Sequence, residues 1–197
     1  MSRLIESICL RDGQFNNLLY HQQRMEYSLN ELFGCTDRID LSLFFHSHDF
    51  PKEGFYKCRV LYDHHSKVVE YIPYTFKPIA SLRLIVDNSI LYDHKYSDRL
   101  SINRLLNRRD GCDDILIIKD DGVTDASYAN IVFKSGRKWY TPQTCLLRGT
   151  MRESLIHAGE ISVEQIRSSD INKFEKFKLI NAMLGFASSE CDISHII

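Results

Sequence analysis

The chain has 197 residues, enough for one large domain or two small ones. Hydrophobic residues make up 44% and charged residues 26%, which excludes a chain that is disordered throughout. With 25 basic and 26 acidic side chains the formal net charge is -1, so no basic excess indicates a nucleic-acid partner. No apolar run has the length of a signal peptide or a membrane span, and we expect no membrane partner.

Cysteines and histidines give no sign of a disulfide framework or a metal site. The six cysteines are spread evenly without a CxxC pair, which indicates reduced thiols and a cytoplasmic location. The histidine pairs lack a second cluster at zinc-site spacing, so no metal is expected. These pairs are His46 with His48 and His64 with His65.

The first half of the chain predicts helices followed by a hairpin. From Asn17 to Phe33 apolar residues recur at helical spacing, Asn16 or Asn17 can cap the start, and Gly34 ends the run. Further along, short apolar runs between turn residues predict a second helix, a hairpin and another strand. Their residues are 40–50 for the helix, 56–62 and 67–72 for the hairpin, and 82–86 for the strand.

The second half mixes buried strands with short helices. Residues 114–118 form a continuous apolar run of strand length, and Asp120-Asp121-Gly122 is a hairpin turn signal. The other predicted elements are a helix over 101–109, strands over 129–133 and 138–140, a helix beginning at 149, and a segment over 174–183. Strands and helices in both halves indicate the α+β class.

Four motifs carry residue types that are suited to chemistry. They are His21-Gln22-Gln23-Arg24, Lys95-Tyr96-Ser97-Asp98-Arg99-Leu100, the run Gly122-Val123-Thr124-Asp125 continuing to Asn130, and Gly149-Thr150-Met151-Arg152. Their order and spacing resemble the class IV aminotransferase family, the fold-type IV enzymes of pyridoxal 5'-phosphate. The resemblance extends from about residue 6 to about residue 185 and implies a two-lobe fold like that of D-amino acid aminotransferase.

The resemblance implies that Lys95 is the catalytic lysine. Such an enzyme needs a lysine that holds the cofactor aldehyde as a Schiff base and then carries protons. The family places this lysine in a pattern like K-x-x-N-R/Y-L ahead of a buried acidic pair. Here Asp98 stands in place of the usual asparagine, and Asp113-Asp114 supplies the pair.

The resemblance also assigns a carboxylate to the cofactor ring. Family members use the glutamate of a G-x-V-T-E hairpin to keep the pyridine nitrogen protonated. In this chain Asp125 stands at that position. Aspartate is one methylene shorter, so the strand or the ring must shift for the two groups to pair.

Backbone donors and a cation are expected to bind the cofactor phosphate. Gly149, Thr150 and Met151 open a predicted helix and resemble the family's phosphate cup, G-I-T-R or G-I-M-R. Arg24 of the H-x-x-R motif is the implied phosphate cation. His21 lies on the apolar stripe of its helix, and we expect it to be a packed core residue.

Further positions are expected to contact cofactor or substrate. Asn181 resembles the late polar residue with which deoxychorismate lyases close over the phosphate, and Arg99 also resembles the lyase branch. Arg99 and Tyr128 flank the inferred site and are interpreted as substrate-binding residues.

The organisation of the chain places a boundary near residues 85–92, which gives a domain of residues 1–88 and a second domain of residues 89–197 that carries Lys95. The resemblance implies a cofactor between the two domains and a homodimer. The expected function is pyruvate elimination from an amino substrate, like that of 4-amino-4-deoxychorismate lyase. An aminotransferase for D- or branched-chain amino acids stays open, as does a non-catalytic relative that binds the cofactor. The non-catalytic alternative is motivated by Asp125 in place of glutamate and by an N-terminal lobe that is shorter than in typical family members.

Overall fold

The computed structural model describes residues 3–197. Within them the chain forms two compact units, one comprising the residues up to Phe76 with His94–Asp98, the other Lys77–Asp93 with Arg99–Ile197. Both contain strands and helices, which confirms the predicted α+β class. The predicted boundary between residues 88 and 89 lies inside the segment Lys77–Asp93, and Lys95 is grouped with the first unit. A domain division at residue 88 stays a prediction.

The first unit is a sheet with two helices. Its elements are β1 (Leu4–Arg11), β2 (Gln14–Phe15), α1 (Leu18–Phe33), α2 (Leu41–His46), β3 (Phe55–Tyr62) and β4 (Lys67–Pro73). The strand order is β2-β1-β3-β4, and every neighbouring pair is antiparallel. The predicted hairpin is therefore confirmed as β3 and β4.

The first strand was not predicted from the sequence. Its side chains at Leu4, Ile8 and Leu10 are fully buried in a core shared with α1, α2 and β3. Glu6 occupies an inward position of the same alternating pattern and is also fully buried. A charged residue at an inward position interrupts the apolar alternation, and this is why the pattern was not recognised.

The two helices begin and end where local chemistry dictates. The predicted first helix is confirmed, and Gly34 ends it in the left-handed region at φ 64°. Asn17, one of the two predicted cap residues, is at the N-cap, where its backbone carbonyl accepts from the N–H groups of Tyr20 and His21 and its side chain makes no capping hydrogen bond. The second helix is shorter than predicted, because Asp40 caps its start by accepting from the backbone N–H of Leu43 at 2.8 Å and Ser47 ends it.

The segment His94–Asp98 belongs to the first unit because it pairs with β1. The N–H of Ile5 donates to the carbonyl of Lys95 at 2.9 Å, and the N–H of Ser97 donates to the carbonyl of Arg3 at 2.8 Å. These bonds lie beside β1, whose full length also pairs with β3. Backbone pairing thus places Lys95 opposite Ile5, the residue that precedes Glu6.

The second unit is a larger mixed sheet. Its elements are β5 (Leu82–Val86), α3 (Leu100–Leu106), β6 (Asp114–Lys119), β7 (Gly122–Ala126), β8 (Asn130–Ser135), β9 (Lys138–Pro142), α4 (Thr150–His157), β10 (Ser162–Glu164), β11 (Lys176–Ile180) and β12 (Cys191–Asp192). The main strand order is β10-β9-β8-β7-β6-β5, and β11 also pairs with β8. The predicted segment 174–183 is thus mainly a strand.

Turn chemistry and edge pairing complete this sheet. Asp120 and Asp121 take φ values of 48° and 66°, as the turn between β6 and β7 requires. At the other edge, the N–H of Leu84 donates to the carbonyl of Ile197 at 2.8 Å, and the N–H of Ile197 donates to the carbonyl of Leu82 at 2.9 Å. The last residue therefore pairs with the outer side of β5.

Candidate active site

A buried carboxylate organises the polar interior of the first unit. Glu6 Oε1 accepts from Arg24 Nε at 2.9 Å, and Oε2 accepts from Arg24 Nη2 at 2.5 Å, so the arginine binds it in a bidentate manner. His21 Nδ1 lies 2.6 Å from the same Oε2. The spacing of His21 and Arg24 on α1 turns both side chains towards β1.

In this cluster of Glu6, His21 and Arg24, the positive charge of Arg24 balances the negative charge of Glu6. Burial alone would raise the pKa of Glu6, but the charge of Arg24 and the hydrogen bonds from His21 and Arg24 lower it to about 2. Burial lowers the pKa of His21, so its imidazole is neutral at pH 7 and donates to Glu6. The expectation that His21 is a packed core residue fits this burial.

Lys95 lies near the same cluster. It is half-buried, and its positive charge contributes to lowering the pKa of His21. Arg24 and Lys95, which are 71 positions apart in the sequence, are thereby both brought to the Glu6 region of the first unit. Glu6 itself was missed by the sequence analysis, since the strand that carries it was missed.

In the second unit, Asp125 lies on β7 with both carboxylate oxygens engaged. Oδ1 accepts from Asn130 Nδ2 at 2.7 Å, and Oδ2 accepts from the backbone N–H of Leu147 at 2.9 Å. Burial raises the pKa of Asp125 to about 6, against the opposing effects of these bonds and of the Arg152 charge. Most of the Asp125 side chains are still ionised at pH 7, and a cation bound beside them would favour that form.

The predicted phosphate cup lies at the start of α4. Gly149 is the N-cap residue, with an extended backbone at ψ 139°, and Thr150 is buried. A Cβ atom on Gly149 would lie 1.9 Å from Asn130 Oδ1, so only glycine fits there. The N–H groups of the first turn of an α-helix have no partner within the helix and favour anions.

Tyr128 connects the predicted substrate residues. The guanidinium of Arg99 stacks over the Tyr128 ring at 3.6 Å, and Arg99 Nη2 donates to the Ser127 carbonyl at 2.5 Å. The Tyr128 carbonyl accepts from Asn181 Nδ2 at 3.1 Å. Asn181 Oδ1 accepts from the N–H groups of Met183 and Leu184, so this amide holds its own turn against Tyr128.

Polar atoms next to Tyr128 are buried without a partner. Within residues 3–197, Arg99 Nε, Asp114 Oδ2 and Ser127 Oγ have no hydrogen-bond partner. Unsatisfied buried polar atoms are rare, because each costs free energy unless water or a ligand reaches it. Ser127, through its nearby donor groups, and Arg99, through its charge, oppose the rise that burial causes in the pKa of Asp114, so these three groups act on one another.

Residues 3–197 contain neither a metal-binding cluster nor a membrane-spanning helix. In the described part of the chain, no group of three or more His, Cys, Asp or Glu is placed to hold a metal ion. No helix among residues 3–197 combines the length and apolar character needed to cross a membrane. All six cysteines lie in this range, and none forms a disulfide.

Comparisons with known proteins assign the family. The family model for amino-transferase class IV matches residues 67–188, more than half of the chain. The chain belongs to the class IV aminotransferase family. It is 38% identical over 188 residues to an uncharacterized protein of Haemophilus influenzae, which covers 94% of this chain and 100% of that protein.

Solved structures of this family have the same fold. A Haemophilus somnus protein provisionally named as a 4-amino-4-deoxychorismate lyase is 35% identical, with a TM-score of 0.89 over 94% of this chain and 98% of that one. A hypothetical aminotransferase of Mycobacterium tuberculosis in its pyridoxal-phosphate-bound form has a TM-score of 0.70 at 16% identity, over 93% and 78% of the two chains. The predicted fold-type IV architecture and the membership in a family of pyridoxal-phosphate enzymes are confirmed.

The residues present fit the family's cofactor. The first unit supplies a lysine amine close to the cluster that contains Arg24, and the second supplies a buried carboxylate and a helix that begins at a glycine. An amine, a carboxylate and backbone N–H donors are the groups that an aldehyde, a ring nitrogen and a phosphate require. The assignment of each residue to each part of the cofactor stays a prediction.

Replacing Glu6 by glutamine removes the charge that compensates Arg24. Because Arg24 is only 11% exposed and Glu6 is fully buried, we expect Glu6→Gln to lower the free energy of unfolding by about 3 kcal/mol. Glu70→Gln is the matched control, since the Arg59–Glu70 pair is 34% and 54% exposed and should lose about 0–1 kcal/mol. Urea unfolding of both variants measures the difference, and equal losses would contradict a structural role of the buried pair.

Asp125 should make stability depend on pH in the direction opposite to an ordinary carboxylate. Its pKa is about 6 in the folded chain against an ordinary value of 3.8, so the folded state holds the proton more tightly. The resulting stabilisation is complete below pH 4 and is lost as the pH rises through 6, by roughly 3 kcal/mol. Asp125→Asn does not titrate there, so wild type should lose stability relative to the variant between pH 4.5 and 7.5. Urea unfolding of the cofactor-free proteins tests this, and a pH-independent difference would refute it.

Proposed function

We propose that this protein is a pyridoxal-phosphate-dependent lyase that eliminates pyruvate from a small amino substrate such as 4-amino-4-deoxychorismate. The observation that carries the proposal is the convergence of Arg24, Lys95 and the buried Glu6 in one unit. Together with Asp125 and the Gly149 helix start, these groups match the chemical requirements of that cofactor.

Each residue has a proposed task at the cofactor. Lys95 would hold the aldehyde and would serve as the general base that removes and returns a proton. Arg24, oriented by Glu6, would be a cation for the phosphate, and the N–H groups of Thr150 and Met151 would be donors for it. Asp125 would be the carboxylate for the ring nitrogen.

The cofactor supplies the chemistry that the amino acids lack. Pyridoxal phosphate joins covalently to amines and withdraws electrons from the carbon next to them. A negatively charged Asp125 favours the protonated ring nitrogen, which strengthens that withdrawal. The neutral, buried His21 adds no second positive charge to the one that Arg24 places near Lys95.

Two features favour the lyase over an aminotransferase. The relative of known structure at 35% identity bears the lyase name. Arg99, four residues after Lys95, is held by Ser127 and Tyr128 beside the buried Asp114. We propose that Arg99 and Tyr128 bind a carboxylate-bearing substrate there and that Asn181 secures the adjoining turn.

We also propose the cellular setting of this activity. Six free cysteines among the described residues support a cytoplasmic location. Family resemblance supports a homodimer, and exposed apolar side chains such as Leu91 and Leu100, each 74% exposed, offer surface for association. Ultracentrifugation of the purified protein tests the dimer.

The proposed cofactor linkage is tested by absorption spectroscopy with added pyridoxal phosphate. We expect wild type to develop a band near the visible edge that borohydride traps on Lys95, and Lys95→Ala to develop none, because the linkage needs that amine. Lys138→Ala removes an exposed lysine and should behave like wild type. Mass spectrometry of the trapped peptide identifies the lysine, and trapping elsewhere would refute the role of Lys95.

The reaction type is tested by the products formed. With 4-amino-4-deoxychorismate the lyase releases pyruvate, which lactate dehydrogenase with NADH detects, whereas an aminotransferase converts the bound cofactor to its amine form with D- or branched-chain amino acids. We expect pyruvate release to fall at least tenfold in Arg99→Leu while the cofactor band persists. Amine-form cofactor without pyruvate would support the aminotransferase, and a band without turnover would support a non-catalytic relative.

A further inference from the structure

Asn130 occupies a buried position at the start of β8, opposite Asp125 in the strand register. Its two amide hydrogens serve two acceptors: Nδ2 donates to Asp125 Oδ1 at 2.7 Å and to the Leu147 carbonyl at 2.9 Å. A single NH2 group therefore connects the carboxylate to the segment that leads into α4.

The opposite end of the same amide is in contact with Gly149. Asn130 Oδ1 lies 1.9 Å, and its Cγ 3.1 Å, from the position that a Cβ on Gly149 would take. The amide thus packs against the glycine at the start of α4, and it cannot move towards Gly149 without displacing that backbone. Closely packed protein interiors transmit such displacements.

The backbone of Leu147 is hydrogen-bonded to both Asp125 and Asn130. Its N–H donates to Asp125 Oδ2 at 2.9 Å, while its carbonyl accepts from Asn130. Asp125, Asn130 and Leu147 therefore form a closed set of three hydrogen bonds, two residues before Gly149. Within this set, each carboxylate oxygen of Asp125 has one donor.

We propose that Asn130 is a positioning residue that couples the orientation of the Asp125 carboxylate to the position of the Gly149–Met151 backbone. In the proposed function these are the groups for the ring nitrogen and the phosphate, so the inference rests on that function. Its consequence is that the two parts of the cofactor are not bound independently. A change at Asp125 weakens recognition of the phosphate, although the carboxylate need not touch it.

Only an amide side chain at position 130 can donate to both the Asp125 carboxylate and the Leu147 carbonyl while its oxygen packs against Gly149. Aspartate would place a second carboxylate against Asp125 and an acceptor against the Leu147 carbonyl, and both contacts would be repulsive. Alanine removes both bonds without adding charge. Asn130→Asp therefore reports the effect of electrostatic repulsion, and Asn130→Ala reports the effect of losing the two hydrogen bonds. Asn103→Ala, at an exposed position of α3, is the control.

The first experiment needs no cofactor. Amide hydrogen exchange of the apo protein, followed by NMR, should show exchange at Leu147 faster by about tenfold in Asn130→Ala, and faster still in Asn130→Asp, because the bonded set is opened. Exchange at Ile117 on β6 should stay within about twofold, which separates a local effect from general loss of stability. Unchanged exchange at Leu147, or an equal rise at Ile117, would overturn the coupling.

The second experiment measures how strongly each protein prefers pyridoxal phosphate to pyridoxal. The preference is expressed as the dissociation constant of pyridoxal divided by that of pyridoxal phosphate. Both ligands carry the ring, and the cyclic hemiacetal that free pyridoxal forms is the same in every experiment, so differences in the ratio between variants report the phosphate contacts. We expect Asp125→Asn to lower this ratio about fivefold to tenfold in the wild-type background and less than twofold in Asn130→Ala, a pattern typical of coupled residues. Asn103→Ala should keep the wild-type ratio.

The outcomes distinguish the inference from the function on which it rests. A wild-type protein that binds pyridoxal phosphate through Lys95, with a ratio that Asp125→Asn leaves unchanged, overturns the coupling and leaves the proposed function standing. A wild-type ratio near one overturns the phosphate cup at Gly149 and the coupling with it. A protein that binds neither ligand overturns the proposed function, and the exchange experiment then decides whether Asn130 couples Asp125 to this backbone.

Discussion

A fully buried carboxylate is the constraint on which the first unit depends. An ionised Glu6 inside a core of leucine, isoleucine and methionine side chains is stable only if charge and hydrogen bonds compensate it. The bidentate Arg24 and the imidazole of His21 do so, and both must come from one side of α1. The rotation of this helix about its axis, its distance from β1 and the register of the two elements are thereby specified together.

The second unit holds its carboxylate by other means. Glu6 is compensated by a nearby full charge and its pKa falls, whereas Asp125 is bonded mainly by neutral amide groups and its pKa rises. The first arrangement gives a permanently ionised group that orients an arginine. The second gives a group whose charge responds to what lies beside it, which suits a carboxylate that must act on a ligand rather than on its own chain.

Local patterns of the sequence predicted most elements, and long-range pairing decided the rest. The helix ending at Gly34, the hairpin of β3 and β4, and the turn at Asp120 were predictable because periodicity and turn chemistry act over a few residues. β1 was not, since its inward glutamate can be recognised only once Arg24 is known to face it. The grouping of Lys95 with the first unit depends on backbone bonds to a strand about ninety positions earlier, which no local pattern reports. Asn130 was part of a quoted motif, but its role requires knowing that Gly149 lies against it.

The pairing of Ile197 with β5 has a consequence for how chains of this protein meet. The outer edge of a sheet presents unpaired N–H and carbonyl groups and can recruit a strand from another molecule, which leads to domain swapping or fibrillar aggregation. Two bonds, from the N–H of Leu84 to the carbonyl of Ile197 and from the N–H of Ile197 to the carbonyl of Leu82, occupy the first part of that edge. Displacing Ile197 would expose these backbone groups and open the edge to a strand from another molecule, although no catalytic group would be altered.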